Sequence, residues 1–280
     1  TMMQAVRERT SELAVLKTYG FGNAAIMSLV FGEALLLCMI AAGIGVGIAA
    51  VDSVGHGEAA ITCLIQFAIA LVAGALLIWR ETHMTSPLLP VDLLRIPVFA
   101  LSIATSIASF CGQMLAFVAI PFYLQSRFGY SAVHMGLLIT PWPIAVAVAA
   151  PLAGRLVERY PAGLLGGIGL TLFACGLGAL ALLPAAPTPF DVIWRMALAG
   201  AGFGLFQTPN NRTMIAAAPR ERAGGASGML GTARLLGQTT GAALVALLLG
   251  RYPVDGTRLA LLAGVGFALC GAVLSMLRLS

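Results

Sequence analysis

Residues 200–212 read Gly200-Ala201-Gly202-Phe203-Gly204-Leu205-Phe206-Gln207-Thr208-Pro209-Asn210-Asn211-Arg212. The stretch opens in an apolar run and closes on side chains that need hydrogen-bond partners: Gln207, Thr208, Asn210, Asn211 and Arg212. Lipid supplies none. Polar groups inside a membrane segment are costly and face a bundle interior or a watery cavity. Pro209 has no backbone donor, which is expected to loosen the helix there. The stretch therefore predicts the lining of a cavity inside an all-α membrane protein.

Composition agrees. Of 280 residues, 59% are hydrophobic and 10% charged, against about 25% charged in soluble domains. The net charge of +5 does not imply nucleic acid, because the basic residues fall in short loops between apolar runs, the pattern of membrane orientation. Cys38, Cys63, Cys111, Cys175 and Cys270 stand singly in apolar runs, without CxxC spacing. They read as small packing residues rather than metal or redox ligands. His56, His83 and His134 are far apart in sequence. No metal site, cofactor or Ser/His/Asp or Cys/His constellation is predicted, so no enzyme is expected. The charged, polar start predicts no cleavable signal peptide.

Eight apolar runs are long enough to span a bilayer: 24–51, 59–79, 98–124, 132–153, 161–183, 192–217, 226–249 and 258–278. Residues 1–22 precede them as an amphipathic surface helix, with Val6, Leu13, Leu16 and Tyr19 able to share a face. The connecting segments carry ten basic residues on one side (Arg7, Arg9, Lys17, Arg80, Arg95, Arg155, Arg159, Arg220, Arg222, Arg278) and three on the other (Arg127, Arg251, Arg258). By the positive-inside rule both termini are expected in the cytoplasm, with the chain in the cell inner membrane.

Polarity among the last six spans is ordered. The first carries Ser102, Thr105, Ser106, Ser109 and Gln113, and the second the break Thr140-Pro141-Trp142-Pro143. The fourth carries the 207–212 run, and the fifth Thr232, Arg234, Gln238, Thr239 and Thr240. The third and sixth are nearly bare and are expected to face lipid. A period of three spans is what a three-plus-three inverted repeat leaves in a sequence. Individual Ser and Thr residues also serve as small packing groups. Gln113, Gln207, Asn210, Asn211, Arg234 and Gln238 are the candidate cavity lining; Arg212 and Arg234 can equally snorkel. Glu33 is the one carboxylate well inside a predicted span. Glycines recur at helical spacing, at 163, 166, 167 and 169, then 200, 202 and 204, then 224, 225 and 228. They predict close helix approach, not a phosphate loop, since no strand precedes and no Lys-Ser/Thr follows.

Several motifs carry a likeness. Trp79-Arg80-Glu81 followed by Ser86-Pro87-Leu88-Leu89-Pro90-Val91-Asp92-Leu93-Leu94-Arg95, then Phe122-Tyr123-Leu124-Gln125 and Gly129-Tyr130-Ser131-Ala132, join Gly136-Leu137-Leu138, Pro141, Gly202-Phe203-Gly204, Pro209-Asn210-Asn211 and Gly224-Gly225-Ala226-Ser227-Gly228. With these, residues 59–280 resemble the C-terminal part of a major facilitator superfamily transporter of the fourteen-helix drug/proton antiporter group, the EmrB/QacA type. Gly154-Arg155-Leu156-Val157-Glu158-Arg159 resembles that superfamily's cytoplasmic gate motif, with Glu158 where Asp is usual and Pro161-Ala162 in place of the trailing basic part. The resemblance implies 59–97 as a helix and cytoplasmic linker and 98–280 as a six-helix half. It further implies multidrug efflux of amphipathic or cationic small molecules, driven by a proton gradient.

Residues 1–51 differ. Val6-Arg7-Glu8-Arg9-Thr10-Ser11-Glu12-Leu13-Ala14-Val15-Leu16-Lys17, Tyr19-Gly20 and Gly32-Glu33-Ala34-Leu35-Leu36 resemble an FtsX/MacB-type permease of ABC transporters. That likeness implies a cytoplasmic segment 1–22 that meets an ATPase through residues 7–19, and a first span with its outer loop over 23–58. An ABC-permease-like subunit and a non-transporting fragment or fusion are thus the competing readings. A complete antiporter of the resembled group has six further N-terminal helices with a proton-carrying carboxylate. The chain is accordingly expected to work with a separate N-terminal half or a second copy of itself.

Overall fold

The structure is a computed structural model that describes Val72 and residues 91–279 apart from 185, 220, 221 and 253. The predicted surface helix 1–22, the spans 24–51 and 59–79, and the start of the linker lie outside the described residues. The rest is helical, as the composition demands: a 3-10 turn Val91–Arg95, then α1 Pro97–Phe128, α2 Ala132–Ile139, α3 Pro141–Leu156, α4 Ala162–Ala181, α5 Pro189–Ala217, α6 Ala223–Arg251, α7 Gly256–Met276, and a closing 3-10 turn Leu277–Leu279. In lipid every backbone polar group must bond within its own segment, and the helix meets that condition. Among the described residues five segments are long and apolar enough to cross a membrane: α1, α2 with α3, α4, α6 and α7. α5, with its polar run, has 29 residues, or about 43 Å of helix, also enough to span.

Local chemistry sets the helix ends. Pro97 opens α1 at a position where a missing N–H costs nothing. Gly129, at φ 64°, closes it in the left-handed conformation, its N–H donating to Gln125 O at 3.0 Å. Thr188 and Asp191 form a reciprocal capping box at the start of α5. The break expected at Thr140-Pro141-Trp142-Pro143 separates α2 from α3, and Thr140 Oγ1 donates to Gly136 O at 2.7 Å. At Pro209, by contrast, α5 runs on without interruption, and Thr213 Oγ1 donates to the Pro209 carbonyl at 2.9 Å. Pro209 is itself buried.

α1 lies at the centre, packed on α6 and α7 and touching α5. α5 packs on α3 and α4, and α4 on α7. Lipid is as apolar as any core, so close backbone approach and hydrogen bonds, rather than exclusion of water, hold such helices together. The glycines supply the approach. A Cβ at Gly202 would fall 2.3 Å from Phe173 N and 2.7 Å from Gly169 O, so α4 and α5 touch backbone to backbone. One correction follows. The third and sixth spans, α4 and α7, are not bare lipid-facing rods. α4 is more buried than α3 or α6, with an outward stripe of Ile168, Thr171 and Cys175 left exposed. Polarity tells which side chains tolerate lipid. Glycine spacing decides which backbones are covered.

Candidate functional site

Asn210, in the decisive stretch, is fully buried. Its Nδ2 donates to Ser106 Oγ at 2.8 Å and to Ser102 O at 3.4 Å, both on α1. Its Oδ1 accepts from the Arg278 guanidinium at 2.7 Å. Arg278 also donates to Ser102 Oγ at 2.9 Å and to Ser275 Oγ. Ser275 donates in turn to Gly163 O at 2.9 Å, at the start of α4. Four helices are thus tied at one end by a single polar network. Among the described residues no carboxylate takes part, and neutral dipoles hold the cation. Every polar atom of the Asn210 side chain is occupied by the protein, so Asn210 serves this tie and turns away from the opening described next.

Aromatic rings meet where α1, α3, α4 and α5 converge. Phe110 stands edge-on to Phe203 at 5.3 Å, Phe117 to Trp142 at 4.9 Å, and Trp142 to Phe173 at 5.5 Å. Such geometries place a positive ring edge on a negative face. Trp142 is 1% exposed, and its Nε1–H has no acceptor.

The other predicted lining residues surround this cluster. α1 turns Ala108 and Gly112 toward α7, and Ile107 and Cys111 toward α6. Gln113 and Phe117, both half-buried, lie on a third side, which Phe117 shares with Trp142 of α3. On α5, Gly200 and Gly204 meet α3, while Phe203 and Asn210 meet α1. Gln207 falls between these two directions by helical spacing, while Asn211 follows Gly200 and Gly204 on the side of α3; both are half-buried. From α6 the exposed Arg234 reaches over the Phe110 ring, its Cζ 5.5 Å from the centroid. Gln238 lies one turn further along the same side. Gln113, Gln207, Asn211 and Gln238 make no hydrogen bond among the described residues. Gln113, Gln207, Arg234 and Gln238 thus lie half-buried or exposed on α1, α5 and α6, on a side that α3 borders where Trp142 meets Phe117; Asn210 does not.

The predicted gate motif lies elsewhere. Gly154 ends α3 opposite Thr208, its Cβ position 3.9 Å from Thr208 Cγ2. Arg155, Glu158 and Arg159 are exposed and form no ion pair among the described residues. At that same end Arg222, leading into α6, grips Asp92 of the linker through both guanidinium nitrogens, one of them at 3.0 Å. The guanidinium holds the Asp92 carboxyl below the usual carboxylate range. At the opposite end a cleft of about 390 Å³ opens beside Tyr123, Ser126, Arg127, Asp255, Thr257 and Arg258. Among the described residues no group of His, Cys, Asp and Glu is placed to hold a metal.

Sequence reasoning missed Arg278 as a half-buried tether and Trp142 as the hub of the aromatic cluster. The Ser275-x-x-Arg278 spacing, which puts both side chains on one face, was a signal for the first. A Trp between two prolines was one for the second.

Comparison with known proteins adds the lineage. A family model for the Major Facilitator Superfamily matches residues 17–242. The match begins inside the stretch whose residues resemble an ABC permease. Over 215 residues the chain is 58% identical to the uncharacterized transporter YebQ of Escherichia coli (strain K12), covering 77% of this chain and 47% of that protein. It is 33% identical over 183 residues to the multidrug resistance protein Stp of Mycobacterium tuberculosis (strain ATCC 25618 / H37Rv), covering 65% of this chain and 34% of Stp. It is 28% identical over 177 residues to the multidrug efflux pump LfrA of Mycolicibacterium smegmatis, covering 63% of this chain and 35% of LfrA. The chain spans less than half the length of each of these relatives.

Proposed function

The chain belongs to the major facilitator superfamily, a family of multi-pass membrane transporters and not of enzymes, and from that membership we propose that residues 98–280 are one six-helix half of an exporter of amphipathic small molecules. The open side bounded by α1, α3, α5 and α6, which carries Phe117, Gln113, Gln207, Arg234 and Gln238, is its share of the substrate cleft. One observation carries the reading. At mid-membrane depth the amides of Gln113, Gln207 and Gln238 stay half-exposed without a hydrogen-bond partner among the described residues, where lipid contact is expensive and cleft water or a ligand is not.

The packing order supports an inverted repeat. Numbering α1, α2–α3, α4, α5, α6 and α7 as spans one to six, the large contacts are one with five, two with four, one with six, three with four, and three with six. Exchanging the first three spans with the last three returns the same set. Two such halves rocking about a shared site give alternating access. We assign the second half to a further six-helix unit outside residues 98–280. The end that carries Arg155, Arg159, Arg222 and Arg278 is assigned to the cytoplasm of the inner-membrane protein.

The names of Stp and LfrA favour drug efflux, and proton entry is the driving force we assign. Among the described residues no carboxylate lies at mid-depth, so the proton carrier is placed outside them. The test is accumulation of a fluorescent amphipathic dye in cells expressing the chain, with and without a proton uncoupler. Lowered accumulation, restored by the uncoupler, is expected. Unchanged accumulation in every arm would exclude export by this chain.

A further inference from the structure

We propose that the open face selects planar aromatic molecules that carry negative charge, a substrate class that rests on reading this face as the cleft. Three independent features point the same way.

The first is the charge inventory. Arg234 is exposed, and among the described residues its guanidinium approaches the Phe110 ring in cation–π geometry. It has no carboxylate partner among the described residues, where the two ion pairs are Asp191–Arg195 and Asp92–Arg222. Arg234 stands 11 residues into α6, about 16 Å from the helix start. The described acidic side chains all sit at the ends: Asp92 and Glu158 near one, Asp191 and Asp255 near the other. Asp191 precedes Phe203, the ring partner of Phe110, by 12 residues on α5, or about 18 Å along the axis. A ligand over the rings therefore meets positive charge at close range and negative charge only from afar. At membrane depth that difference is little screened.

The second is the hydrogen-bond balance. Arg234 only donates, and so does the indole N–H of Trp142. That N–H is buried and lacks an acceptor, an arrangement that costs stability unless something else repays it. It sits behind the half-buried Phe117 ring. The amides of Gln113, Gln207 and Gln238 can donate or accept. The fixed groups of the face thus ask for acceptors.

The third is shape. Of the four rings that meet here, Phe110, Trp142 and Phe203 are at most 3% exposed, and the half-buried Phe117 is the one that presents a ring face on which a flat molecule can stack. Arg234 above Phe110 can stack on the same molecule and pair with its acidic group, as guanidinium groups do. This charge runs against the cationic substrates that the family resemblance implies.

The experiment compares two xanthene dyes of like shape and opposite charge. The full chain, reconstituted in zwitterionic lipid nanodiscs, is titrated with fluorescein, anionic at mildly alkaline pH, and with rhodamine 123, cationic. Anisotropy is the readout, and empty discs are subtracted. Fluorescein is expected to bind about ten-fold more tightly, the scale of one charge-assisted contact. Arg234→Gln should abolish that preference, Arg234→Lys should keep most of it, and Arg234→Glu should reverse it. Trp142→Phe, which removes the donor and keeps a ring, should weaken fluorescein by a few-fold and leave rhodamine 123 unchanged. Rhodamine 123 binding as tightly as fluorescein, or fluorescein binding unmoved by Arg234→Gln, overturns the charge assignment while leaving the cleft in place. Binding of neither dye overturns both.

Discussion

Asn210 and Asn211 are adjacent and chemically identical, yet the fold gives them opposite tasks. Asn210 is fully buried and joins Ser102, Ser106 and Arg278; Asn211 is half-buried and makes no hydrogen bond among the described residues. A turn of about 100° per residue is enough to send one onto α1 and the other out of the network. Asn210→Ala would leave the Arg278 guanidinium short of an acceptor in a partly buried site. It should cost about 1–2 kcal/mol, read as a fall in melting temperature in detergent. Asn211→Ala should lie within about 0.5 kcal/mol of the parent. The Asp92–Arg222 pair has its own pH signature. The carboxyl is held below its ordinary pKa, so its contribution is complete above that ordinary value and fades as pH falls through the lower folded one. Melting curves of the parent and of Asp92→Asn should differ near neutral pH and converge in acid, below about pH 4. The difference should stay under about 1 kcal/mol, because water reaches both partners.

At the scale of elements, the contact between α4 and α5 decides the packing. Gly202 and Gly169 let the two backbones touch. Gly202→Ala would drive a methyl into Phe173 N and Gly169 O, rigid backbone on both sides. It should cost about 1–3 kcal/mol or more. Gly224→Ala is the control, since its Cβ would meet nothing within 4 Å. In a helix that change should be neutral or stabilising by up to about 1 kcal/mol. A thermal melt of both variants checks the pair; equal destabilisation would show that the glycines are not what sets the spacing. Proline count follows the same logic, since α1 and α3 also continue through the single prolines Pro121 and Pro151. Thr140-Pro141-Trp142-Pro143 breaks its span because two donors are lost within three residues. Pro209 loses one, and the helix keeps going.

At the scale of the whole molecule, exposure separates faces of different character. Cys175 on α4 and Cys270 on α7 are exposed among apolar neighbours such as Ile168 and Leu269. Gln113, Gln207 and Arg234 border the aromatic face instead. In membranes, an apolar maleimide should label Cys175 and Cys270 and a charged maleimide should not. A cysteine placed at Gln207 should react with the charged reagent. Ready labelling of Cys175 by the charged reagent, with none at position 207, would reverse the assignment of lipid and cleft sides. The α2–α3 segment also exposes Val133, Leu137, Ile144, Val148 and Leu152, consistent with a six-helix unit that meets a second one.

The linear order of residues determined the class and the spans. Twenty-residue apolar runs, basic loops and isolated amides are local quantities, and lipid acts on them one helix at a time. That is why six helix positions among residues 98–278 and the proline break were legible. Which of two neighbouring asparagines joins the inter-helix network was decided only in the folded state, along with the tethering of Arg278 by neutral groups among the described residues, the donor left unmet on Trp142 among those residues and the covering of α4. Each of these depends on the rotation and separation of helices far apart in sequence. Those are set by glycine contacts and rings closing at once across the bundle, and no single helix contains that information.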